Sequence, residues 1–226
     1  MNLRAFLVVA AAVVAVMLAA SVWAWPQVPD DAQVPIHWGL DGQPDGFAPK
    51  AVGLLGMPAF ALVLAAVLAI VPRVEPRRDN LARSASAYRT AVTAIVVVLG
   101  VVHLAAIAAA TGWDVEIGGI VPVAVGAVLV VIGNVLGKTR STFLFGIRTP
   151  WTLTSERSWA RTHRLGGRLM VALGLAVVAA TGLGLRGAPL FTLLGAGLAA
   201  LVVVVFAYSY LVWRDDPDRR SLGGAR

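Results

Sequence analysis

Residues 5–25 read AFLVVAAAVVAVMLAASVWAW, an apolar stretch without an ionised side chain. An α-helix rises about 1.5 Å per residue, so roughly 20 residues cross the hydrocarbon core of a bilayer. Similar stretches recur along the 226-residue chain, and the predicted spans are 5–25, 51–71, 90–110, 120–136, 169–185 and 188–213. Their apolar runs are continuous, which favours helices over barrel strands. The sequence therefore predicts an all-α polytopic membrane protein with six transmembrane helices in one bundle.

Composition supports a membrane protein. The chain is 58% hydrophobic and 14% charged, with a mean hydropathy of +0.80, whereas soluble domains are about 25% charged. The absence of cysteine excludes disulfides, thiolate metal sites and a cysteine nucleophile. The apolar core of 5–25 exceeds the roughly 7–15 residues of a signal peptide, so we interpret it as a retained helix.

The distribution of basic residues predicts the orientation of the bundle. Of the 19 Lys and Arg residues, 17 lie in 1–4, 73–89, 138–168 and 214–226. The positive-inside rule then places both termini in the cytoplasm. These charges flank helix ends and are interrupted by apolar residues, which argues against direct nucleic-acid binding.

The predicted spans also set the organisation of the chain. The first helix occupies 1–25 and is followed by an extracytoplasmic loop module at 26–50. The remaining parts are 51–118, which holds helices two and three with the cytoplasmic loop 73–89; 119–213, which holds helices four to six with the cytoplasmic loop 138–168; and the cytoplasmic tail 214–226.

The outer loop module contains five Pro and three Gly, which prevent a long helix. We expect a short edge strand at 34–38, a turn at 40–43 and a second turn at 44–46. Trp38 and Phe47 are expected to form an apolar face on the helix ends.

The polar residues of the outer module are candidates for ligand binding. His37, Asp41 and Asp45 have the chemistry of metal ligands, but one imidazole with two loop carboxylates is a weak pattern, and solvated turn residues are the better interpretation. We therefore predict no metal site. The outer ligand candidates are His37, Trp38, Asp41, Asp45 and Lys50.

The cytoplasmic loop 138–168 is too apolar for a freely solvated linker, although it carries seven basic residues. We expect it to lie in the headgroup region or between helix ends. Thr149-Pro150 should break it, and Thr154 or Ser155 should cap a new helix. On that helix Glu156, Trp159 and His163 share one face, which predicts a packed polar cluster; acid–base chemistry is the alternative, but no nucleophile accompanies it.

Arg148 is expected to bind protein, since a guanidinium at a partly dry site needs acceptors. The candidate acceptors for its N–H groups are Glu156, the carbonyl oxygens near Asn134 at the end of the fourth helix, and lipid phosphate. The inner ligand or partner candidates are Asn134, Arg148, Thr149, Pro150, Trp151, Thr152, Glu156, Trp159, His163 and Arg164.

Within the spans, His103 is the one ionisable residue if Arg168 is interfacial. It is either a proton site or an imidazole bonded to a neighbouring helix, and the lack of a relay partner favours the second. Gly133 and Gly137 predict close helix packing. The G-x-G-x-x-G pattern at 182–187 ends a membrane helix, so no cofactor is predicted.

Two groups of residues resemble the SdpI family of bacterial six-span membrane proteins. The outer loop resembles the small domain of unknown function that often precedes the SdpI region. The matching residues are Pro35, Ile36, His37, Trp38, Gly42, Asp45 and Lys50 in the outer loop, then Gly133-Asn134, Phe145 to Leu153, Trp159, and His163 to Gly167. The resemblance covers roughly 10–50 and 119–213.

The resemblance implies a non-enzymatic immunity or signalling protein without a cofactor. Such a protein protects against a membrane-active antimicrobial peptide on the outer face and can hold a cytoplasmic repressor at the membrane. The alternative is an accessory subunit of a larger membrane complex. In either case the lipid bilayer is a partner.

Overall fold

The computed structural model describes residues 1–39 and 41–219, so part of the predicted tail 214–226 lies outside the described residues. A 3₁₀ turn at Trp25–Gln27 follows the first helix. The elements are α1 (Arg4–Ala24), β1 (Gln33–Trp38), β2 (Pro44–Pro49), α2 (Lys50–Val74), α3 (Arg78–Arg83), α4 (Ala85–Ala110), α5 (Ile117–Leu136), α6 (Pro150–Thr154), α7 (Glu156–Gly182) and α8 (Ala188–Arg214).

Six helices of the described chain are long and apolar enough to cross a membrane: α1, α2, α4, α5, α7 and α8. The predicted all-α polytopic class is therefore confirmed. We name the two ends of the bundle by what they carry. The hairpin end holds β1 and β2, and the termini end holds the start of α1 and the end of α8.

The fifth span begins much earlier than predicted. Instead of separate helices in the loop and the membrane, α7 runs without interruption from Glu156 to Gly182. Gly166 and Gly167 do not break it, because both are buried against neighbouring elements. A Cβ on Gly166 would be 2.7 Å from Ile147 Cδ1, and one on Gly167 would be 2.5 Å from Gly133 O. The expected loop 138–168 is thus shorter, and its last part is helix.

Glycines bring α5 and α7 into backbone contact. A Cβ on Gly133 would be 2.6 Å from Gly167 O, and one on Gly174 would be 2.3 Å from Gly126 O. Both helices therefore carry glycines seven residues apart, and the two pairs face each other in antiparallel order. Small residues permit such close approach between membrane helices. The predicted close packing at Gly133 is confirmed.

The bundle consists of two groups of three long helices. In the first group α1, α2 and α4 share a core that includes Phe6, Ala65 and Val96. In the second group α5, α7 and α8 share a core that includes Val177 and Leu190. The groups meet where α4 lies against α5.

The outer module is a two-stranded antiparallel hairpin, so the expected strand at 34–38 is confirmed. The expected turn at 44–46 is wrong, because Pro44–Pro49 is the second strand. The expectation that Phe47 packs on the helix ends is also wrong. Its side chain is exposed, and Val34 and Ala48 are the buried apolar residues of the hairpin. Register shifts between Pro35 and Trp38 interrupt the regular alternation of side chains along β1.

The tip of the hairpin reaches the second helix group. A Cβ on Gly118, in α5, would be 3.4 Å from the Cα of Gly42. A Cβ on Gly187, just before α8, would be 3.3 Å from the carbonyl oxygen of Asp41. The hairpin thus lies across the end of the bundle and contacts both groups.

His103 ties α4 to α1. It is buried, and its Nε2 atom lies 3.0 Å from Ser21 Oγ and 3.2 Å from the carbonyl oxygen of Met17. The expected hydrogen bond to a neighbouring helix is confirmed.

Candidate functional site

A buried carboxylate organises the termini end. Glu75 follows α2 directly and is fully buried. Its Oε1 accepts the backbone N–H groups of Arg77 and Phe143, both at 2.9 Å, and its Oε2 accepts that of Leu144 at 2.8 Å. Hydrogen bonds to an ionised acceptor are about twice as strong as neutral ones. Glu75 therefore fixes the loop after α5 to the end of α2.

Two side chains between α2 and α4, those of Arg77 and Asn80, also bind the loop that follows α5. The Arg77 guanidinium donates to Ser141 Oγ and, at 3.0 Å, to the carbonyl oxygen of Leu153. It also lies 4.5 Å from the centre of the Phe143 ring. Asn80 donates to the carbonyl oxygen of Ser141 at 2.8 Å. The loop is thus placed between helix ends, one of the two expected arrangements.

Trp159 and His163 form the floor under this loop. Both are buried, and their rings stack with centroids 3.9 Å apart. Trp159 Nε1 donates to the carbonyl oxygen of Thr139 at 3.1 Å. His163 Nε2 accepts the Ile147 N–H at 2.8 Å, and Nδ1 lies 2.8 Å from the carbonyl oxygen of Trp159. These partners assign the imidazole as neutral, with its proton on Nδ1.

Gly146 allows the loop to cross these rings. Its φ of +113° is a conformation that side chains rarely adopt. A Cβ would also lie 2.6 Å from His163 Nε2 and 2.8 Å from Trp159 Cη2. Glycine is therefore required here both by the backbone conformation and by the space.

The Thr-Pro segment starts α6 as expected. Thr149 Oγ1 accepts the Thr152 N–H at 3.1 Å, and Thr152 Oγ1 accepts the Thr149 N–H at 2.9 Å, which makes a reciprocal capping box. Thr149 Oγ1 also donates to Ser209 Oγ of α8 at 3.0 Å. Pro150 occupies the first helical position, where its missing N–H costs no hydrogen bond. Trp151 packs edge-on against Phe206, with centroids 4.7 Å apart.

Of the two residues expected to cap the following helix, Thr154 and Ser155, the structure shows Ser155 as the N-cap of α7. Its Oγ accepts the Ser158 N–H at 2.8 Å and donates to Asp216 Oδ2 at 2.5 Å. Ser158 Oγ donates to the carbonyl oxygen of Ser209 at 2.8 Å. The end of α8 is therefore bound to the start of α7.

Three inner candidates lie away from this cluster. Glu156 is exposed in the first turn of α7, so the expected polar cluster of Glu156 with His163 is wrong. Asn134 lies on the exposed side of α5. Arg164 is exposed, and its side chain passes beside Gly137. The 3.6-residue period places Glu156 and His163 on one side of the helix, but Glu156 lies beyond the edge of the packed region.

Arg148 binds protein through a different acceptor from those expected. Its Nη1 donates to the carbonyl oxygen of Phe143 at 2.9 Å, within its own loop. The residue is exposed, and neither Glu156 nor a carbonyl near Asn134 is its acceptor among the described residues. The loop folds back on itself here, which spacing along the chain does not reveal.

The outer candidates lie at the opposite end of the bundle. His37 Nδ1 lies 2.5 Å from Asp45 Oδ1, and both side chains are more than half exposed. Asp41 Oδ1 accepts the Gln43 N–H at 3.0 Å in the hairpin turn. Trp38 is half-buried. Within the described residues, no three His, Asp or Glu side chains are grouped to hold a metal.

Lys50 is the buried member of the outer candidates. Its ammonium donates to Asp30 Oδ1 at 2.8 Å and lies 4.9 Å from the centre of the Trp25 ring. The hydrogen bond and the positive charge of Lys50 lower the pKa of Asp30 below its ordinary 3.8. These contacts tie the segment before β1 to the first turn of α2.

Sequence reasoning missed Glu75, Arg77 and Ser209. Glu75 had one weak signal, an acidic residue in the otherwise basic loop 73–89 that directly follows an apolar helix. Its role depends on backbone groups nearly 70 residues away. Ser209 lies in an apolar helix, where a lone hydroxyl has no distinctive pattern.

Comparison with known proteins gives two family matches. Residues 138–209 match the SdpI/YfhL protein family, and residues 12–62 match a domain of unknown function, DUF1648. The first match covers the inner loop, α6, α7 and most of α8. The second covers most of α1, the hairpin and the first half of α2.

A curated relative supports the same assignment. Immunity protein SdpI of Bacillus subtilis (strain 168) is 29% identical over 83 residues, which are 37% of this chain and 40% of the relative. The chain thus matches less than half the length of that protein. No solved structure matches at a significant level. The chain is therefore similar to SdpI-type proteins, with a DUF1648 match before an SdpI match and six helices that are long and apolar enough to cross a membrane.

Proposed function

We propose that this protein is a non-enzymatic immunity protein of the bacterial cell membrane, which protects against a membrane-active antimicrobial peptide encountered at the hairpin end. The observation that carries the proposal is the exposure of apolar side chains on the hairpin. Ile36 is 50% exposed and Phe47 is 54% exposed, beside the exposed pair of His37 and Asp45. Exposed apolar side chains on a small polar module are candidate contacts for an apolar partner.

The hydrogen bonds of the buried ionisable groups at the termini end favour a structural role for these groups. Glu75 uses its carboxylate to bind three backbone N–H groups, and His163 uses both ring nitrogens in backbone hydrogen bonds. A general base needs a free lone pair within reach of a substrate proton. These groups instead fix two loops in place, which favours a binding platform over an active site.

The orientation follows from the charges. The positive-inside rule favours a cytoplasmic termini end with both termini inside the cell. That end exposes Arg148, Arg157, Arg161 and Arg164. We propose this basic surface as the contact for a cytoplasmic repressor or another membrane protein.

Complementation tests the immunity proposal. The chain is expressed in Bacillus subtilis strain 168 that lacks its own immunity protein SdpI, and survival is measured in co-culture with the parent strain. Survival should rise with the wild-type chain. An Ile36→Ser/Phe47→Ser double variant should lose protection. The control is Leu183→Ser, an exposed apolar residue at the same end of the bundle, which should protect normally.

Two results would remove the proposal. One is unchanged killing, by the parent and by a panel of hydrophobic bacterial peptides, at a membrane content equal to that of the native immunity protein. The other is a stoichiometric membrane complex that purifies in mild detergent and fails to assemble without this chain. That result would support the alternative, an accessory subunit.

A further inference from the structure

A groove lies between the two groups of helices that can cross a membrane. Its volume is about 910 Å³, and it is lined by α1, α4 and α5. On α4 the lining runs from Arg89 to Val101, which is a rise of about 18 Å along the helix axis. The walls are made of small and β-branched side chains such as Ala94, Val97 and Ala127.

Water is a poor occupant of this groove. Ordered water needs two to four polar partners, and apolar cavities stay dry. Here the lining residues with charged or hydroxyl groups lie toward the two ends: Arg89, Thr90 and Thr93 toward the termini end, and Glu116, Thr181 and Arg186 near the hairpin end. An apolar molecule of the bilayer is therefore required to fill the middle.

The two ends differ in charge, which orients the occupant. At the hairpin end Arg186 Nε lies 2.9 Å from Glu116 Oε1, so its positive charge is compensated. At the termini end Arg89 donates from Nη1 to the carbonyl oxygen of Asn2 at 3.2 Å, and no carboxylate among residues 1–39 and 41–219 forms an ion pair with it. A guanidinium has five N–H donors and suits phosphate geometry. The end with Arg89 is the one that attracts an anion.

We propose that the groove binds one membrane phospholipid, with its phosphate on Arg89 and its acyl chains between α4 and α5. The length agrees, since half of a 30 Å hydrocarbon core is about 15 Å and the lining of α4 extends about 18 Å. The volume lies within the range of about 300–1,000 Å³ that is typical of ligand pockets. This lipid would complete the packing between the two helix groups, independently of any immunity function.

Native mass spectrometry of the full chain tests the site. The protein is purified in mild detergent, titrated with dioleoylphosphatidylglycerol, and the lipid-bound fraction is measured. Wild-type protein should hold one lipid. Arg89→Gln should weaken binding about tenfold, as expected for the loss of a charge-assisted pair. The control Arg73→Gln removes an arginine of α2 that also donates to a backbone carbonyl but does not line the groove, and it should bind as wild type does.

A second variant tests the acyl-chain part without changing charge. Ala127→Phe should fill the groove and abolish lipid binding, while Ala66→Phe, at an exposed position of α2 outside the groove, should not. An equal loss of bound lipid in Arg89→Gln and Arg73→Gln would show that any arginine attracts the anionic lipid, and it would overturn the proposal. A lipid-free dimer that Ala127→Phe dissociates would also overturn it, because the groove would then be an interface between two copies.

Discussion

The hydroxyl of Ser21 in α1 donates to the carbonyl oxygen of Leu54 in α2 at 2.6 Å. Pro58 lies four residues after Leu54, where it has no N–H to donate to this carbonyl. An unsatisfied carbonyl in a membrane costs free energy, so a neighbouring helix must provide the donor. The proline in α2 and the serine in α1 therefore form one unit, which His103 extends to α4.

Replacing Ser21 by Ala should lower the free energy of unfolding by about 1–2 kcal/mol, because the Leu54 carbonyl loses its donor. In a Pro58→Ala background the backbone supplies that donor, so the same replacement should cost less. Unfolding in a detergent–denaturant titration gives the four values of the cycle. Equal costs in both backgrounds would show that Ser21 does not compensate for the proline.

Replacing Gly146 by Ala should displace the inner loop, because the methyl group would contact His163 and Trp159 in addition to the strained φ. The matched control is Gly112→Ala, where φ is +86° but nothing lies within 4 Å of the added Cβ. Backbone strain of about 1–2 kcal/mol is common to both variants. Proteolysis in the loop should rise for Gly146→Ala alone. Similar proteolysis in the two variants would mean that strain, and not the ring contact, decides the effect.

Replacing Gly167 by Ala should separate α5 from α7, since the methyl group would lie 2.5 Å from the carbonyl oxygen of Gly133. Overpacking of this kind typically costs about 1–3 kcal/mol. Gly195→Ala in α8, where no atom lies within 4 Å, should leave the melting temperature unchanged or slightly higher. The measurement is thermal unfolding in detergent. A tolerated Gly167→Ala would contradict the close packing.

The ion pair of Asp30 with Lys50 predicts a pH dependence. Because the pKa of Asp30 is lowered in the folded protein, its contribution is present above the ordinary value of 3.8 and is lost as the pH falls through the lower, folded pKa. Hydrogen exchange of residues 28–49, corrected for the intrinsic rate, should therefore accelerate only below about pH 4. Asp30→Asn should accelerate exchange at every pH, and Asp31→Asn should not. A pH response retained in Asp30→Asn would assign it to another group.

The hairpin should depend on Val34 and not on Phe47. Val34 is buried against Gly53 of α2, so Val34→Ala should loosen the hairpin by about 1.6 kcal/mol, the value of two buried methyl groups. Phe47→Ala should change stability by less than about 0.5 kcal/mol, because the ring is exposed. Protease cleavage between β1 and β2 in proteoliposomes measures both. Faster cleavage in Phe47→Ala would place that ring against the helices after all.

The sequence was informative where one local rule decides the structure. Continuous apolar runs gave the six helices, and Thr149-Pro150 with Ser155 gave the helix starts, because spans and caps depend on neighbouring residues. Prediction failed at β2, where Pro44 and Gly46 indicate a turn but pair with β1 across two register shifts. It also failed between the predicted loop helix and the fifth span, which are one helix, because Gly166 and Gly167 contact other elements and do not interrupt α7.

The polar cluster at the termini end was predicted in part. Thr149, Thr152, Trp159 and His163 were identified through a motif, and the structure brings them together. Their partners are mostly backbone atoms, such as the Ile147 N–H and the Thr139 carbonyl oxygen, which have no signature in a sequence. Glu75 was missed for the same reason, since all three of its donors are main-chain groups.

Because Glu75 accepts only backbone N–H groups, the two halves of the chain place different demands on a chimera made from two related proteins. Glu75 lies between the DUF1648 and SdpI matches, whereas Phe143 and Leu144 lie inside the SdpI match. Any residue except proline can present a backbone N–H at positions 143 and 144, so an incoming SdpI region brings suitable donors with almost any sequence there. An incoming N-terminal half must bring an acidic residue at position 75. Chimeras joined in the connection at 111–116 should therefore fold stably when the protein that supplies the N-terminal half has an acidic residue at position 75, and should be destabilised when it does not.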